Sequence, residues 1–183
     1  LSMRRLIESE LSRIDVPTFK AAKKNPIIVV LDNIRSLHNI GSVFRSSDAF
    51  LIEKICLCGI TCCPPHRDIQ KTALGATESV DWEYYPTTAE CVKDLKSKNV
   101  KIVSIEQTDE SIMLQDFIPD KNETTAIILG NEVKGVDDEV IALSDACVEI
   151  PQAGTKHSLN VSVCAGIVLY DLFQKLRYHN VVL

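Results

Sequence analysis

The sequence predicts an α/β domain in which a parallel β-sheet is flanked by helices on both faces. Within short runs of apolar residues, Ile, Val, Leu and Cys follow one another instead of alternating with polar residues, which is typical of strands buried in a parallel sheet. Segments with helical periodicity lie between these runs, and this alternation defines the class. The predicted strands lie at residues 27–31, 54–58, 101–105, 126–130 and 147–150.

Helices are predicted between and after these strands. Thr87 and Glu90 form a T-x-x-E capping box, which marks the start of a helix that runs to about residue 97. The last helix is the longest, and we expect its apolar stripe to pack against the sheet. That stripe consists of Leu159, Val163, Ile167, Tyr170 and Leu176. This last helix covers residues 159–178, and the two other predicted helices cover residues 40–50 and 137–143.

Length and composition indicate one globular domain. The chain has 183 residues, of which 45% are hydrophobic and 25% charged, with 7 Gly and 7 Pro, so disordered, collagen-like and low-complexity classes are excluded. No apolar run approaches the ~18 residues of a spanning helix and no secretory signal is visible, so we expect a cytoplasmic protein. The 7 cysteines, an odd number, are expected to be reduced thiols. Position 1 is Leu, which leaves the natural start of the chain open.

The charge is distributed unevenly. The net charge of -5 and the pI near 5.4 argue against a nucleic-acid partner, because Lys and Arg supply most of the affinity for phosphates. Residues 1–25, however, hold six basic side chains against three acidic ones. We therefore divide the chain into a basic N-terminal helical arm, residues 1–25, and a domain, residues 26–183. The arm is either a phosphate-binding segment or a solvated helix face.

Three glycine-containing junctions follow predicted strands, where ligands of parallel sheets bind. The first junction places Asn39, Gly41 and Arg45 in the motif N-x-G-x-x-x-R. We expect Gly41 to open a helix, with Arg45 on the same face four residues further on. An amide and a guanidinium then point at one anionic group, such as a phosphate or a polarised hydroxyl. The alternative is that Arg45 is an ordinary exposed arginine.

The second junction has the sequence LGNEVKGV. Gly130 and Gly135 flank the carboxylate of Glu132, and this spacing predicts a tight loop whose backbone approaches a flat ligand. The segment lacks the G-K-[ST] ending of a P-loop and the G-x-G-x-x-G fingerprint, which disfavours ATP and NAD. The alternative is that Glu132 is a solvated turn residue.

The third junction has the sequence IPQAGTKHSLNVSV. Pro151 ends the strand, Gly154 permits a turn, and Ser158 and Asn160 precede the last helix. There the two polar side chains either cap helix amides or hold a substrate. A nucleophilic role for Ser158 is disfavoured because the G-x-S-x-G elbow is absent.

Together, NIGSVFR, LGNEVKGV and IPQAGTKHSLNVSV resemble the three motifs of the SpoU, or TrmH-like, family of RNA ribose 2′-O-methyltransferases in the SPOUT class. The resemblance covers residues from about 26 to 175. It implies a parallel sheet flanked by helices with a C-terminal deep trefoil knot, an exception to the rule against threading. It also implies that S-adenosylmethionine binds in the knot, that the enzyme is a homodimer acting on tRNA or rRNA, and that catalysis needs no metal.

The resemblance also implies roles for individual residues. Arg45 is assigned to the 2′-hydroxyl, either as a general base or as an orienting group, while Asn39 and Glu132 help to place the substrate and the arginine. Ser158 and Asn160 complete the pocket. The implied cofactor-binding residues are Ser104, Glu106, Leu129, Gly130, Asn131, Ile150, Gln152, Ser158 and Leu159, the first two from a looser match.

Three alternatives stay open. The first is a zinc site, which is disfavoured because no C-x-x-C pair is present. The segment at residues 59–67 is instead interpreted as an exposed loop near the RNA. A non-catalytic RNA- or cofactor-binding protein of the same fold is expected to lack part of the Arg, Glu, Ser and Asn set, which is intact here. A small-molecule methyltransferase has no need for a basic arm. The zinc site would use Cys56, Cys58, Cys62, Cys63 and His66.

Overall fold

The structure, a computed structural model, describes residues 2–178. Within these residues the strands are β1 Asn25–Asp32, β2 Ile52–Cys58, β3 Trp82–Tyr85, β4 Lys101–Ile105, β5 Ile112–Met113, β6 Thr125–Leu129 and β7 Ala146–Glu149. The α-helices are α1 Val16–Ala21, α2 Leu37–Ala49, α3 Arg67–Ala73, α4 Ala76–Ser79, α5 Thr88–Ser97, α6 Asp138–Leu143 and α7 Val161–Tyr178, and 3-10 turns occur at Glu8–Glu10 and Leu114–Asp116. The strands form one sheet in the order β3-β2-β1-β6-β4-β7-β5.

Every strand pair in this sheet is parallel, so the predicted fold class is confirmed. All five predicted strands are present. Sequence reasoning missed β3 and β5, which form the two outer edges of the sheet. They lack a continuous apolar run: in β3 the exposed residues Trp82 and Tyr84 alternate with partly buried ones.

Helices cover both faces of the sheet. On one face, α2, α3 and α7 pack over the strands, with Phe44 and Leu169 fully buried. On the other face, α5 and α6 do so, with Leu95 and Val140 buried. The capping box predicted at the start of α5 is confirmed, with Thr87 as the N-cap. None of the helices in the described part of the chain is long and apolar enough to cross a membrane.

The orientation of α7 differs from the prediction. Its buried face consists of Val161, Ala165, Val168, Leu169 and Leu172. Of the predicted stripe, Leu176 packs against the core, whereas the other four residues point outward. The helix has apolar residues on two sides, and periodicity alone does not select the side that the sheet covers. The exposed stripe on α7 is Val163, Ile167 and Tyr170, with 52%, 39% and 52% of their surfaces accessible, and Leu159, with 37%, precedes the helix.

The expectation that Gly41 opens a helix is wrong. The α2 helix begins one turn earlier, where the Ser36 hydroxyl accepts a hydrogen bond from the backbone N–H of Asn39 at 3.2 Å. Gly41 instead allows α3 to pack closely, because a Cβ atom there would lie 2.2 Å from the carbonyl oxygen of Ile69. The α3 helix itself was not predicted, since the segment before it was interpreted only as a loop.

The arm is less helical than predicted and is largely exposed. Its α1 helix has six residues and inserts Phe19 into the core. The ammonium of Lys20 bonds to Asp81 at 2.5 Å, just before β3 begins. Asp81 lies at the amino end of β3. Because all strands are parallel, α1 lies near the amino ends of the strands, whereas the site is predicted at their carboxyl ends. The last five residues of the predicted domain, 179–183, lie outside the described part of the chain.

Candidate active site

A cavity of about 690 Å³ opens at the carboxyl ends of β4, β6 and β7. The last helix closes one side of it through Val161 and Cys164. Eight of the predicted cofactor-binding residues line this cavity, and so do three of the predicted catalytic residues, Glu132, Ser158 and Asn160, of which Ser158 belongs to both sets. The eight are Glu106, Leu129, Gly130, Asn131, Ile150, Gln152, Ser158 and Leu159.

The prediction that Ser104 contacts the cofactor is wrong. This residue lies one position before Ile105, is completely buried, and places its hydroxyl 2.7 Å from that of Ser144. It does not line the cavity. The side chain points into the layer of the sheet beneath α6, because residues of a strand alternate between the two faces.

The loop at residues 130–136 forms a tight turn, as predicted. The backbone groups of Asn131 and Gly135 bond to each other in both directions, at 3.0 and 2.9 Å. The Asn131 side chain accepts hydrogen bonds from the N–H groups of Val133 and Lys134 at 2.9 and 3.1 Å. A Cβ atom on Gly130 would lie 2.2 Å from the backbone of Gly135, so only glycine fits. The cavity wall is therefore backbone at this point.

Glu132 connects this loop to the first motif. Its carboxylate accepts hydrogen bonds from the N–H groups of Arg35 and Ser36, both at 2.9 Å, and from the Asn39 side chain at 3.2 Å. Burial works to raise the pKa of Glu132, but these donors to the charged form outweigh it and hold the pKa below its ordinary value. Glu132 is therefore an ionised clamp on the amino end of α2, not a solvated turn residue.

Asn160 connects the third motif to the same point. Its side-chain oxygen caps α7 by accepting from the N–H groups of Ser162 and Val163, at 2.9 and 3.3 Å. Its side-chain nitrogen donates to the Asn39 oxygen at 3.3 Å. The structure therefore confirms the helix cap, and it also brings this side chain to Asn39 of the first motif. Asn39 is the point where the three motifs meet.

Arg45 lies six residues after Asn39 on α2 and is exposed. Among residues 2–178, its guanidinium has no hydrogen bond or ion pair within the chain. A guanidinium carries its charge at neutral pH and presents several donors to an anion. The arginine of the first motif is thus available to a ligand, although it does not itself line the cavity.

Several residues that organise the site were missed. Gln107 donates to the carbonyl of His157 at 2.8 Å and so ties the cavity wall to the loop before α7. The Glu106 carboxylate, predicted to contact a cofactor, accepts the N–H of Val136 at 3.1 Å and holds the tight loop. Asp32 and Asn33 were also missed, although both bond to residues in or next to the cavity loop. The available signal was their position directly after the apolar run of β1, at the carboxyl end of a strand.

The cysteines do not form a metal site in the described part of the chain, where no group of three or more metal-binding side chains converges. Cys56 and Cys58 lie in the core on one face of the sheet, whereas Cys62 and Cys63 pack against the core on the other. The sheet itself therefore separates the two pairs. Cys164 borders the cavity, where burial and then the charge of Glu106 raise the pKa of its thiol to about 11, which keeps it protonated.

A parallel α/β domain with a backbone-walled cavity at the carboxyl ends of its strands belongs to the class of open-sheet folds that bind their ligands at this position. The chain belongs to the SpoU rRNA Methylase family, whose model matches residues 26–170. It is 31% identical over 146 residues to the 23S rRNA (guanosine-2′-O-)-methyltransferase RlmB of Neisseria meningitidis, covering 80% of this chain and 57% of that protein. It is 26% identical over 151 residues to the tRNA (guanosine(18)-2′-O)-methyltransferase of Escherichia coli, covering 82% and 64%.

Solved structures agree with the fold. The A. aeolicus TrmH/SpoU tRNA modifying enzyme superposes with a TM-score of 0.75 at 25% identity, covering 87% of this chain and 79% of that one. The SpoU methyltransferase AviRb from Streptomyces viridochromogenes, solved with AdoMet, also gives 0.75, at 24% identity, covering 85% and 62%. The chain spans less than two thirds of the length of the two enzymes named by sequence.

Proposed function

We propose that this protein transfers a methyl group from S-adenosylmethionine to a ribose 2′-hydroxyl of tRNA or rRNA. The observation that carries this proposal is the convergence of three distant motifs on Asn39. Glu132 from the cavity loop and Asn160 from the start of α7 both bond to that side chain, while Arg45 on the same helix stays unpaired in the described chain. Family membership and the named relatives support the same reaction.

The cavity fits the cofactor. A wall made of backbone at Gly130 and Gly135 admits a flat heterocycle, and exposed polar groups at Gln152 and Ser158 suit the ribose and amino-acid parts. A volume of about 690 Å³ lies within the usual range for such ligands. When bound, S-adenosylmethionine supplies a methyl group activated by a sulfonium. The residues proposed to hold it are Glu106, Leu129, Gly130, Asn131, Ile150, Gln152, Ser158 and Leu159.

The chain's own residues then align the acceptor. Arg45 donates to the 2′-hydroxyl oxygen or the adjacent phosphate, because a protonated guanidinium is a donor and a poor base. Glu132 does not accept the substrate proton, since its oxygens are already occupied by donors from α2. The ribose oxygen held by Arg45 would accept the methyl group that bound S-adenosylmethionine would supply, the thioether would leave, and the hydroxyl proton would pass to solvent. Holding the reactants in line is the main catalytic contribution.

The exposed stripe on α7 supports a homodimer. Three apolar residues in one row on α7, Val163, Ile167 and Tyr170, mark a contact surface, and a second copy of the chain is the occupant we propose. The stripe continues onto α2, because the ring of Tyr170 lies 5.9 Å from that of Phe50 and Gly166 faces Ser46, the neighbour of Arg45. The proposal includes a cytoplasmic location, no catalytic metal and a C-terminal trefoil knot.

RNA is the proposed partner, held by the basic arm at residues 1–25 and by exposed cations near the site, namely Arg35, Arg67 and Lys156. The arm packs through α1 near the amino ends of the strands, whereas the cavity lies at their carboxyl ends. It is therefore assigned to RNA that lies away from the reacting nucleotide.

The test uses methyl-labelled S-adenosylmethionine with tRNA and rRNA as separate substrates. The wild-type protein is expected to label one of them, and digestion to nucleosides should place the label on a 2′-O-methyl ribose. Arg45→Ala should lose transfer in a single turnover while its affinity for S-adenosylmethionine, measured by calorimetry, stays within a few fold. Binding of the cofactor without transfer to either RNA would instead favour the non-catalytic alternative.

A further inference from the structure

A buried carboxylate lies at the end of β1, outside the proposed chemistry. Asp32 is 1% exposed and does not line the cavity. Its Oδ1 atom accepts hydrogen bonds from the Thr88 hydroxyl at 2.5 Å and from the Asn33 side chain at 2.9 Å. Its Oδ2 atom accepts from the backbone N–H of Asp137 at 2.9 Å. A buried charge is retained only where such donors compensate its lost hydration.

Asp32 and Asn33 hold both ends of the cavity loop at residues 130–136. Asp137, bonded to Asp32, is the first residue after the loop. Asn131, near its start, donates its side-chain N–H to the carbonyl of Asn33 at 2.7 Å. Two consecutive residues of β1 and its following turn therefore fix the segment that forms the backbone wall of the cavity.

Asn33 itself is locked in place. Its φ of 55° lies in the left-handed region, and its Oδ1 atom accepts the N–H of Ile60 at 3.0 Å. Two residues further along, the chain reaches Arg35 and Ser36, whose N–H groups bond to Glu132. The same turn thus connects the cavity loop to the start of α2, which carries Asn39 and Arg45.

We infer that Asp32 is a positioning residue that aligns the cavity loop with the acceptor-binding helix α2. Through Asp137 and Asn33 it sets where the methyl donor lies relative to Arg45, although it touches neither substrate nor cofactor. This inference rests on the proposed function. In-line transfer is sensitive to misplacement on the scale of 1 Å, so a small shift of this loop slows the reaction strongly.

Asp32→Asn tests the role with almost no change in volume. Whichever way the new amide turns, its NH2 group faces another donor, either the N–H of Asp137 or the side-chain NH2 of Asn33. We expect kcat/KM for S-adenosylmethionine to fall by roughly tenfold or more, the cost of breaking a hydrogen bond to a charged group. The KM for RNA should stay unchanged, because the exposed cations are untouched.

Asp145→Asn is the control. That carboxylate is 40% exposed and pairs with Lys96, and it accepts the backbone N–H of Ile102 at 2.8 Å at the amino end of β4, away from the cavity. Urea unfolding of both variants measures the loss of stability, and kinetics are compared where both are folded. A loss of stability in both with a kinetic defect only in Asp32→Asn supports the inference.

Asn33→Gly is the second variant, to be used as well if Asp32→Asn does not fold. Glycine keeps the left-handed backbone and the carbonyl that holds Asn131, and it removes only the side-chain bonds to Asp32 and Ile60. The same selective fall in kcat/KM for S-adenosylmethionine, with the KM for RNA unchanged, is expected. Kinetic constants equal to those of Asp145→Asn would overturn the inference, whereas a wild-type protein that fails to bind S-adenosylmethionine would overturn the proposed function instead.

Discussion

The side-chain amide of Asn160 donates to the side-chain oxygen of Asn39 across 3.3 Å, joining residues that are 121 positions apart. At the same time the oxygen of Asn160 caps α7. Because one side chain performs two separable tasks, two substitutions can distinguish them.

Asn160→Asp keeps the capping oxygen and removes the donor to Asn39. We therefore expect methyl transfer to fall while the free energy of unfolding changes little. Asn160→Ala removes both, and should in addition cost about 0.5–2 kcal/mol of stability, the usual loss at an N-cap. Single-turnover rates and chemical denaturation measure the two effects. Equal stability losses in the two variants would contradict the assignment of the cap.

Glu132 gives a prediction for pH. Its pKa in the folded protein lies below the ordinary value of a glutamate, so the clamp on Arg35 and Ser36 is present at and above that ordinary value and is lost as the pH falls through the lowered one. The amide resonances of Arg35 and Ser36 should therefore shift with a midpoint below the ordinary pKa of a glutamate. In Glu132→Gln this titration should vanish, and transfer should weaken at neutral pH because one acceptor has become a donor. A midpoint at or above the ordinary glutamate value in the wild type would show that the clamp is absent.

The cavity wall predicts a difference between two glycines. Gly130→Ala should weaken binding of S-adenosylmethionine, because its Cβ would lie 2.2 Å from the backbone of Gly135 and force the loop to move. Gly154→Ala is the control, since a Cβ there has no atom within 4 Å and the residue does not line the cavity. Calorimetry with both variants decides, and similar affinities would contradict the close approach.

The outward stripe of α7 predicts the effect of a charge. Ile167→Glu should shift the protein from dimer to monomer in sedimentation at micromolar concentration, because a carboxylate would be buried between two apolar surfaces. The change should leave the fold intact, since Ile167 is exposed in one copy of the chain. Ala142→Glu adds the same charge at an exposed position of α6, which covers the other face of the sheet, and should not affect association. A wild-type protein that sediments as a monomer would refute this interface.

The arm predicts a change in salt dependence. Replacing the six basic residues of residues 1–25 with Gln should flatten the dependence of log RNA affinity on log salt by about 0.7–0.9 per lost phosphate contact. The affinity for S-adenosylmethionine should stay the same, because α1 lies near the amino ends of the strands and the cavity lies at their carboxyl ends. The six are Arg4, Arg5, Arg13, Lys20, Lys23 and Lys24. Equal slopes would mean that the arm is a solvated segment and that the loops hold the RNA.

The strands of the sheet centre and the cavity loop were predictable because their signals are local. A buried parallel strand needs apolar residues on both faces, which a short run in the sequence shows. Gly130 and Gly135 are close in the chain, and a Cβ atom on Gly130 would clash with the backbone of Gly135 within the same loop. The strand β3 was not predicted. It lies at the edge of the sheet, where its residues remain partly exposed, so it lacks the continuous apolar run of a central strand.

The interactions that complete the site were not predictable, because each partner is remote in the chain. Nothing near Glu132 indicates that its carboxylate meets the amino end of α2. Ser104 was misplaced for the related reason that alternation along a strand decides which side chains face the cavity and which face a helix. The covered side of α7 likewise depends on the sheet beneath it.

The position of α7 has a consequence during synthesis. This helix is made last among the described elements, yet it supplies Val168, Leu169 and Leu172 to the core and Asn160 to the site. Until it emerges from the ribosome, the part of this sheet face beside α2 stays uncovered and the pocket lacks a wall. The nascent chain therefore completes its core and its pocket in the same final step.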